Sequence, residues 1–214
     1  MRDYSNYHNV NVNEKLREDG LFLLEHSLNG FESYEAFVNG SPTSVKVLIY
    51  QKYDSDSETK RVIGHISDIE RGNILNINEQ DWLVVTIPED NKIYRKADMK
   101  ICNSFFPAIT DKTRVLIGRD DDGRPVYEEI EQKVYVPCIV EPSISINTDK
   151  VDQLLLPKGS IKISLKYAKY MNINSNDKFE MYANRYEIED IDYSKVINEI
   201  GIMVIYAKKD VKES

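Results

Sequence analysis

From Val45 onward the chain is a succession of short apolar, β-branched runs cut by turn signals, and that punctuation limits its possible folds more than any other feature. VKVLIY (Val45–Tyr50), ILNI, DWLVVTI, ADMKICN, RVLIG and SIKISLKY each have the length of a strand. The polar stretches YDSDSET, NEQ and PEDNK fall between them, and Pro88 closes the strand before the last of these. RVLIG and RPVYEE flank an Asp-Asp-Gly tip, a hairpin signal. Ile161, Ile163 and Leu165 alternate with polar residues, as in a half-buried strand. Turn signals every eight to twelve residues, roughly, predict a mainly β chain of small barrel or sandwich modules.

The N-terminal part reads differently. Residues up to about Gly20 are polar and Asn-rich and suit an arm that orders on a partner or stays mobile. Short helices are predicted around Leu16–Leu28 and Phe31–Val38. In the second, Phe31, Tyr34, Phe37 and Val38 would share one helix face. Gly20, Gly30 and Gly40 limit their length. The predicted organisation is an arm with short helices over 1–44, a first β module over 45–142, and a second over 143–214. The segment INTDKVDQLLLPKG would serve as connector.

The chain also matches itself. At an offset of 104 positions (186 − 82 = 104), Trp82 falls on Tyr186, Leu75 on Phe179, Ile77 on Met181 and Val84 on Ile188. Farther on, Met99 falls on Met203 and Ile101 on Ile205. Both copies run polar turn, strand, tight turn, aromatic-led strand, long polar loop, exit strand. The strand VKVLIY is matched with SIKISLKY as the one feeding each copy. Two related β modules are therefore predicted, the second a structural repeat of the first, and repeated β units often build tubes or rings.

Composition and side-chain spacing point away from chemistry. At 214 residues and 41% hydrophobic content the chain can bury a core. It has no apolar run near the roughly 20 residues of a bilayer span. The first residues carry no apolar leader, so a soluble, cytoplasmically made protein is expected. A net charge of −8 with scattered Lys and Arg disfavours gripping nucleic acid, although an acidic surface lets DNA slide past. Cys102 and Cys138 are expected as reduced thiols. As an EF-hand loop, the tip would place Asp120, Asp122 and Glu129 as ligands, but Gly118 at the first position cannot ligate and the flanks read as strands. His8, His26 and His65 belong to no metal or nucleophile signature. Pairs such as Glu128/Glu129 and Asp190/Asp192 read as solvated faces. No catalytic residue, metal site or cofactor site is expected.

One stretch carries a resemblance. The turn Gly72-Asn73-Ile74, the strand Trp82-Leu83-Val84, the loop bearing Asn91 and Tyr94, and the exit strand with Met99, Cys102 and Asn103 resemble the head-closure, or head–tail connector (stopper), proteins of tailed bacteriophages. The following hairpin, VPCIVE and the late NRYEIEDID fit the same pattern. Where many of those proteins have an aliphatic-Trp pair after the exit strand, this chain has Phe105, Phe106 and Pro107. The resemblance implies β-barrel subunits forming a homo-oligomeric ring in the virion neck, assembled in the bacterial host cytoplasm. It implies contacts to a portal-side adaptor and to a tail tube or tail-completion protein, with DNA passing through unread. Under it, Asp54, Asp56, Glu58 and Lys60 in one loop, and Glu89, Asp90 and Lys92 in another, are expected to face the lumen or a neighbour. A tail-completion or baseplate protein and a carbohydrate- or receptor-binding β module are the competing expectations. Glycan binding by an isolated monomer would mark the last.

Overall fold

The computed structural model describes residues 11–51, 57–119, 122–142 and 159–210, which divide into two compact units at Ile101/Cys102. The first opens with α1 (Val12–Leu28). The Asn11 side chain caps it by accepting from the Asn13 N–H at 3.2 Å, and Glu14 lies in its first turn. Leu24 and Leu28 are buried against Leu48, with Ile63, Ile93 and Tyr94 packed around them. The helix interior tolerates Gly20 for a packing reason: a Cβ there would stand 2.5 Å from the Ile93 methyl.

The helix predicted over Phe31–Val38 is a strand, β1 (Ser33–Val38). Its inward residue is Ala36, while Phe31 is 97% exposed and Phe37 and Tyr34 also face solvent. A spacing that fits one helix face also fits parts of a strand in so short a segment, and pairing with the next strand decides the outcome. That strand is β2 (Ser44–Gln51), in register from Ser33↔Leu48 to Phe37↔Ser44. Then follow β3 (Thr59–Gly64), β4 (Ile74–Ile77), β5 (Gln80–Val84), β6 (Glu89–Asp90) and β7 (Arg95–Ile101). The order β3-β2-β1-β4-β5-β7-β6, with β3 also pairing β7, closes the sheet into a barrel. Val47, Val62, Leu75, Val84 and Met99 fill it with no exposed surface.

The second unit contains β8 (Ser104–Arg119), β9 (Pro125–Pro142), β10 (Ile161–Lys166), β11 (Lys178–Met181), β12 (Asn184–Asp192), β13 (Val196–Ile197) and β14 (Ile200–Lys209). Its order is β11-β12-β14-β10-β9-β8, and β13 pairs with β14. The end strands β8 and β11 meet through Phe106, whose ring stands edge-on to Phe179 at 5.1 Å, and in the loop before β11 the Asn172 N–H donates to the Ile109 carbonyl of β8 at 3.0 Å. This barrel is nearly closed. Cys138, Ile163, Leu165, Met203 and Ile205 form its centre.

The predicted boundaries at 44/45 and 142/143 are thereby corrected. β1 lies within residues 1–44 yet is a wall strand of the first barrel. The β8–β9 hairpin belongs to the second barrel, since β9 pairs with β10 from Cys138↔Leu165 to Pro142↔Ile161. A hairpin signal is local and does not say which sheet the hairpin joins. The connector INTDKVDQLLLPKG lies almost wholly outside the described residues.

The repeat at 104 holds at the level of single hydrogen bonds. Gly72 N–H donates to Val84 O at 2.9 Å and Asn176 N–H to Ile188 O at 2.8 Å; Val84 N–H donates to Asn73 O and Ile188 N–H to Asp177 O, both at 2.9 Å. The β4–β5 pairing Leu75↔Trp82 recurs as Phe179↔Tyr186 in β11–β12. The turn residues Asn78 (φ 50°) and Glu79 (φ 64°) recur as Tyr182 (φ 51°) and Ala183 (φ 57°). Gly72 at φ 90° is matched by Asn176 at φ 69°, residue types that tolerate the left-handed region.

Two parts of the sequence alignment shift. Trp82 pairs with Ile101, whereas Tyr186 pairs with Lys209, so the exit strand is displaced by four residues. An even displacement keeps the same side chains facing inward. SIKISLKY does not correspond to VKVLIY: β10 lies between β9 and β14, as β3 lies between β2 and β7.

Candidate assembly surface

The residues singled out by the resemblance are structural. Trp82 is buried and carries the Lys60 ammonium 4.7 Å above its ring. Met99 is in the first core and Tyr94 packs below α1. Asn103 starts the second barrel by acting as a strand edge. Its side-chain oxygen accepts from Val140 N–H at 2.8 Å, its amide donates to Val140 O at 2.9 Å, and its own N–H donates to Cys138 O at 3.1 Å. Cys138 is fully buried, and that burial, with Cys102 nearby, pushes its thiol up to about 12. Phe106 supplies the aromatic that the Phe105-Phe106-Pro107 departure left open, and Phe105 stays 54% exposed.

The two predicted loops are less free than their composition suggested. Asp54 and Asp56 lie outside the described residues. Glu58 accepts from the Ile101 N–H through its carbonyl, and Lys60 is a wall residue of β3, paired with Gln51 and Met99. Beside it Arg61 donates from Nε to Asp98 at 2.9 Å. Glu89 and Asp90 form the short β6 against Lys96 and Arg95, with ion pairs of 2.8 and 3.1 Å. Lys92, at φ 70°, donates its N–H to the Asp90 carboxylate at 2.7 Å. That bond and Arg95 hold the Asp90 carboxyl below its ordinary range, and Lys96 does the same for Glu89. This segment is a clamped turn.

The sites weighed for chemistry do not converge. His65 Nε2 is 3.4 Å from the Glu25 carboxylate, His26 lies against Phe22, and His8 falls outside the described residues. Asp192 accepts the Ser194 N–H at 2.7 Å, which lowers its carboxyl and makes it a turn cap. Among the described residues no three His, Cys, Asp or Glu side chains are placed to hold a metal, and no helix is long and apolar enough to cross a membrane.

An exposed apolar surface lies on an element the sequence marked only as a hairpin. β10 covers β9 from Cys138 to Pro142. Before Pro137, β8 and β9 continue as a two-stranded ribbon, paired from Pro107↔Tyr135 to Arg119↔Pro125. At roughly 3.4 Å per residue its outer part is about 35 Å long. Leu116 pairs with Tyr127 on one face and Val115 lies on the other; Val126 follows across the irregularity at Leu116/Gly118. Val115, Leu116, Ile117, Val126 and Tyr127 are all exposed, Ile117 by 60%. A two-stranded ribbon alone is marginally stable in water, and one that is apolar on both faces calls for a covering surface. Adjacent apolar pairs, Leu116-Ile117 and Val126-Tyr127, were the sequence signal for this, because a one-sided strand would have alternated.

Beside the ribbon's base a cleft of about 390 Å³ opens where β8 and β11 leave the barrel unclosed. It is lined by Pro107, Ile109, Lys133, Tyr135, Lys178, Phe179, Glu180 and Arg185. Pro107 offers no backbone N–H, which suits an edge strand and removes one donor from any closing ladder.

Comparison with known proteins follows the division into barrels. The YomX N-terminal domain matches residues 6–101 and the YomX C-terminal domain residues 106–208. The chain is 36% identical over 217 residues to the SPbeta prophage-derived uncharacterized protein YomX of Bacillus subtilis (strain 168), covering 100% of this chain and 99% of that protein. Among solved structures, the K. pneumonia MrkH–c-di-GMP complex aligns over 92% of this chain and 86% of that one at 10% identity. Its TM-score of 0.14 is too low to carry a fold relation. With both domains matched and a full-length relative at that identity, the chain belongs to the YomX family.

Proposed function

We propose that this protein is a phage-encoded structural protein of the virion, acting as a ring subunit in the neck that closes the DNA-filled head and connects it to the tail. The observation that carries this is the exposed, two-faced apolar ribbon of β8–β9, an element whose stability is completed by a neighbour. The prophage origin of the full-length relative supports a phage setting. The net charge of −8 suits a wall that DNA passes without adhering. Its partners in this reading are further copies of itself, a portal-side adaptor and a tail tube or tail-completion protein.

The test is genetic and biochemical. Ablation of the gene in the phage that encodes it should yield complete free tails and heads that have lost their DNA, with the protein present in wild-type particles by mass spectrometry. Joined particles of normal DNA content, or a protein confined to the soluble lysate, would overturn the reading. Truncated or absent tails would move it to tail completion.

A further inference from the structure

We propose that the β8–β9 ribbon of one copy docks its outer end into the β8–β11 seam of a second copy, linking copies head to tail. The inference rests on the ring reading above and assigns that ring its interface.

Three observations converge on this occupant. The seam is the place where the second barrel departs from the first. β1 and β4 pair through Phe37↔Asn76 and Val38↔Leu75, and their counterparts β8 and β11 share no such pairing. Two strand edges are left facing a cleft of about 390 Å³, within the range that takes a few side chains. The ribbon brings Leu116, Ile117 and Tyr127, exposed at its outer part, to a lining that sets Pro107, Ile109, Tyr135 and Phe179 among charged residues.

Charge agrees with shape. From Arg114 to Glu129, which pair across it, the ribbon carries three arginines against five carboxylates, a net charge of −2 (3 − 5). The seam is lined by Lys133, Lys178 and Arg185 against Glu180. Lys178 lies 3.0 Å from Asp210 and 3.9 Å from Glu187, and Arg185 lies 3.6 Å from Asp210. These pairs are 42% and 47% exposed on the cationic side, so an incoming carboxylate can share them.

Geometry makes the contact intermolecular. Pro107, Lys133 and Tyr135 at the ribbon's base line its own seam, and the ribbon leads away from there for about 35 Å. Its tip therefore reaches the seam of another molecule. Such a contact uses two different surfaces, so it propagates and closes only as a ring.

Two disabled chains test this. In one, Thr113–Ile130 are replaced by an Asn-Gly turn, which keeps the Lys112↔Glu131 pair and shortens the ribbon. In the other, Lys133→Glu and Arg185→Glu reverse the seam. Circular dichroism and thermal melts establish that each is folded, and light scattering after size exclusion gives mass. The wild-type chain should self-associate with rising concentration, each variant alone should stay monomeric, and an equimolar mixture should give a 1:1 heterodimer and nothing larger. A wild-type chain that is monomeric at its highest soluble concentration, an oligomer unaffected by the shortened ribbon, or folded variants that do not pair would each overturn the proposal. Should the seam variant fail to fold, full-length chains carrying L116C or E180C on a C102S background replace it. A bismaleimide cross-link between the two kinds of chain supports the contact, and its absence overturns it. Failure here would leave the neck location standing, because that location is read from particles and their assembly phenotype.

Discussion

Replacing Leu165 with Ala probes the second barrel at its centre. Leu165 is fully buried in β10, opposite Cys138 of β9 and Met203 of β14. The change removes three carbons, worth about 2.4 kcal/mol at roughly 0.8 kcal/mol per buried methylene. A cavity between three strands of a barrel cannot collapse fully, and its cost brings the expected loss to about 3–4 kcal/mol. For a unit of this size that is a large part of a stability on the order of 5–15 kcal/mol, and a melting shift of roughly 12–30 °C. Urea unfolding gives the value from the midpoint at constant slope. Hydrogen exchange should show the loss of protection in β9, β10 and β14. Leu116→Ala on the ribbon is the control: being 55% exposed, it should stay within about 0.5 kcal/mol. A loss below about 1 kcal/mol for Leu165→Ala would refute the assignment of β10 to a packed barrel core.

Other consequences are open to simpler assays. At pH 8 a thiol reagent should label Cys102 quickly and Cys138 only on unfolding, since burial raises the Cys138 thiol to about 12; two equally fast thiols would contradict its burial. Gly201 sits at φ 143° with the Lys195 carbonyl where a Cβ would go, so Gly201→Ala should prevent the β13–β14 turn and be severely destabilising. Gly72→Ala, at φ 90°, should cost about 1–2 kcal/mol, while Asn176→Gly at the equivalent position should be neutral or stabilising in thermal melts. The carboxyls of Glu89, Asp90 and Asp192 are lower in the folded chain than when unfolded. Their contribution is therefore present above the ordinary carboxylate range and lost as pH falls through the folded values. Melting temperature should drop below about pH 4. An E89Q/D90N/D192N chain should show a flatter acid limb, and an unchanged limb would contradict those clamps.

Much of the architecture was legible because strands announce themselves locally. The β4–β5 and β11–β12 hairpins with their tight turns, and the offset of 104 between them, follow from aromatic and apolar spacing; the positive φ at Asn78-Glu79 and Tyr182-Ala183 does not. What failed depended on distant partners. Phe31–Val38 reads as a helix until β2 and β4 are beside it. The β8–β9 hairpin was assigned to the first module because its membership depends on β10, which follows after the connector. SIKISLKY and VKVLIY both read as strands feeding a β module, and a strand pattern does not encode position in a barrel. The ribbon's role was hidden for a further reason. Exposed apolar residues in a strand look like core residues until it is known that no third strand among the described residues covers them. Conversely, Glu89 and Asp90 looked like free loop carboxylates, and only the structure shows Lys96 and Arg95 across from them.

The most direct test of the central claim is a symmetric cryo-EM reconstruction of the neck of the phage particle, with each barrel fitted separately into density. A closed ring of this chain is expected between the portal-side adaptor and the tail tube, with each β8–β9 ribbon reaching the adjacent subunit. Density for the chain at the tail tip, or particles whose neck contains none of it, would contradict a neck ring.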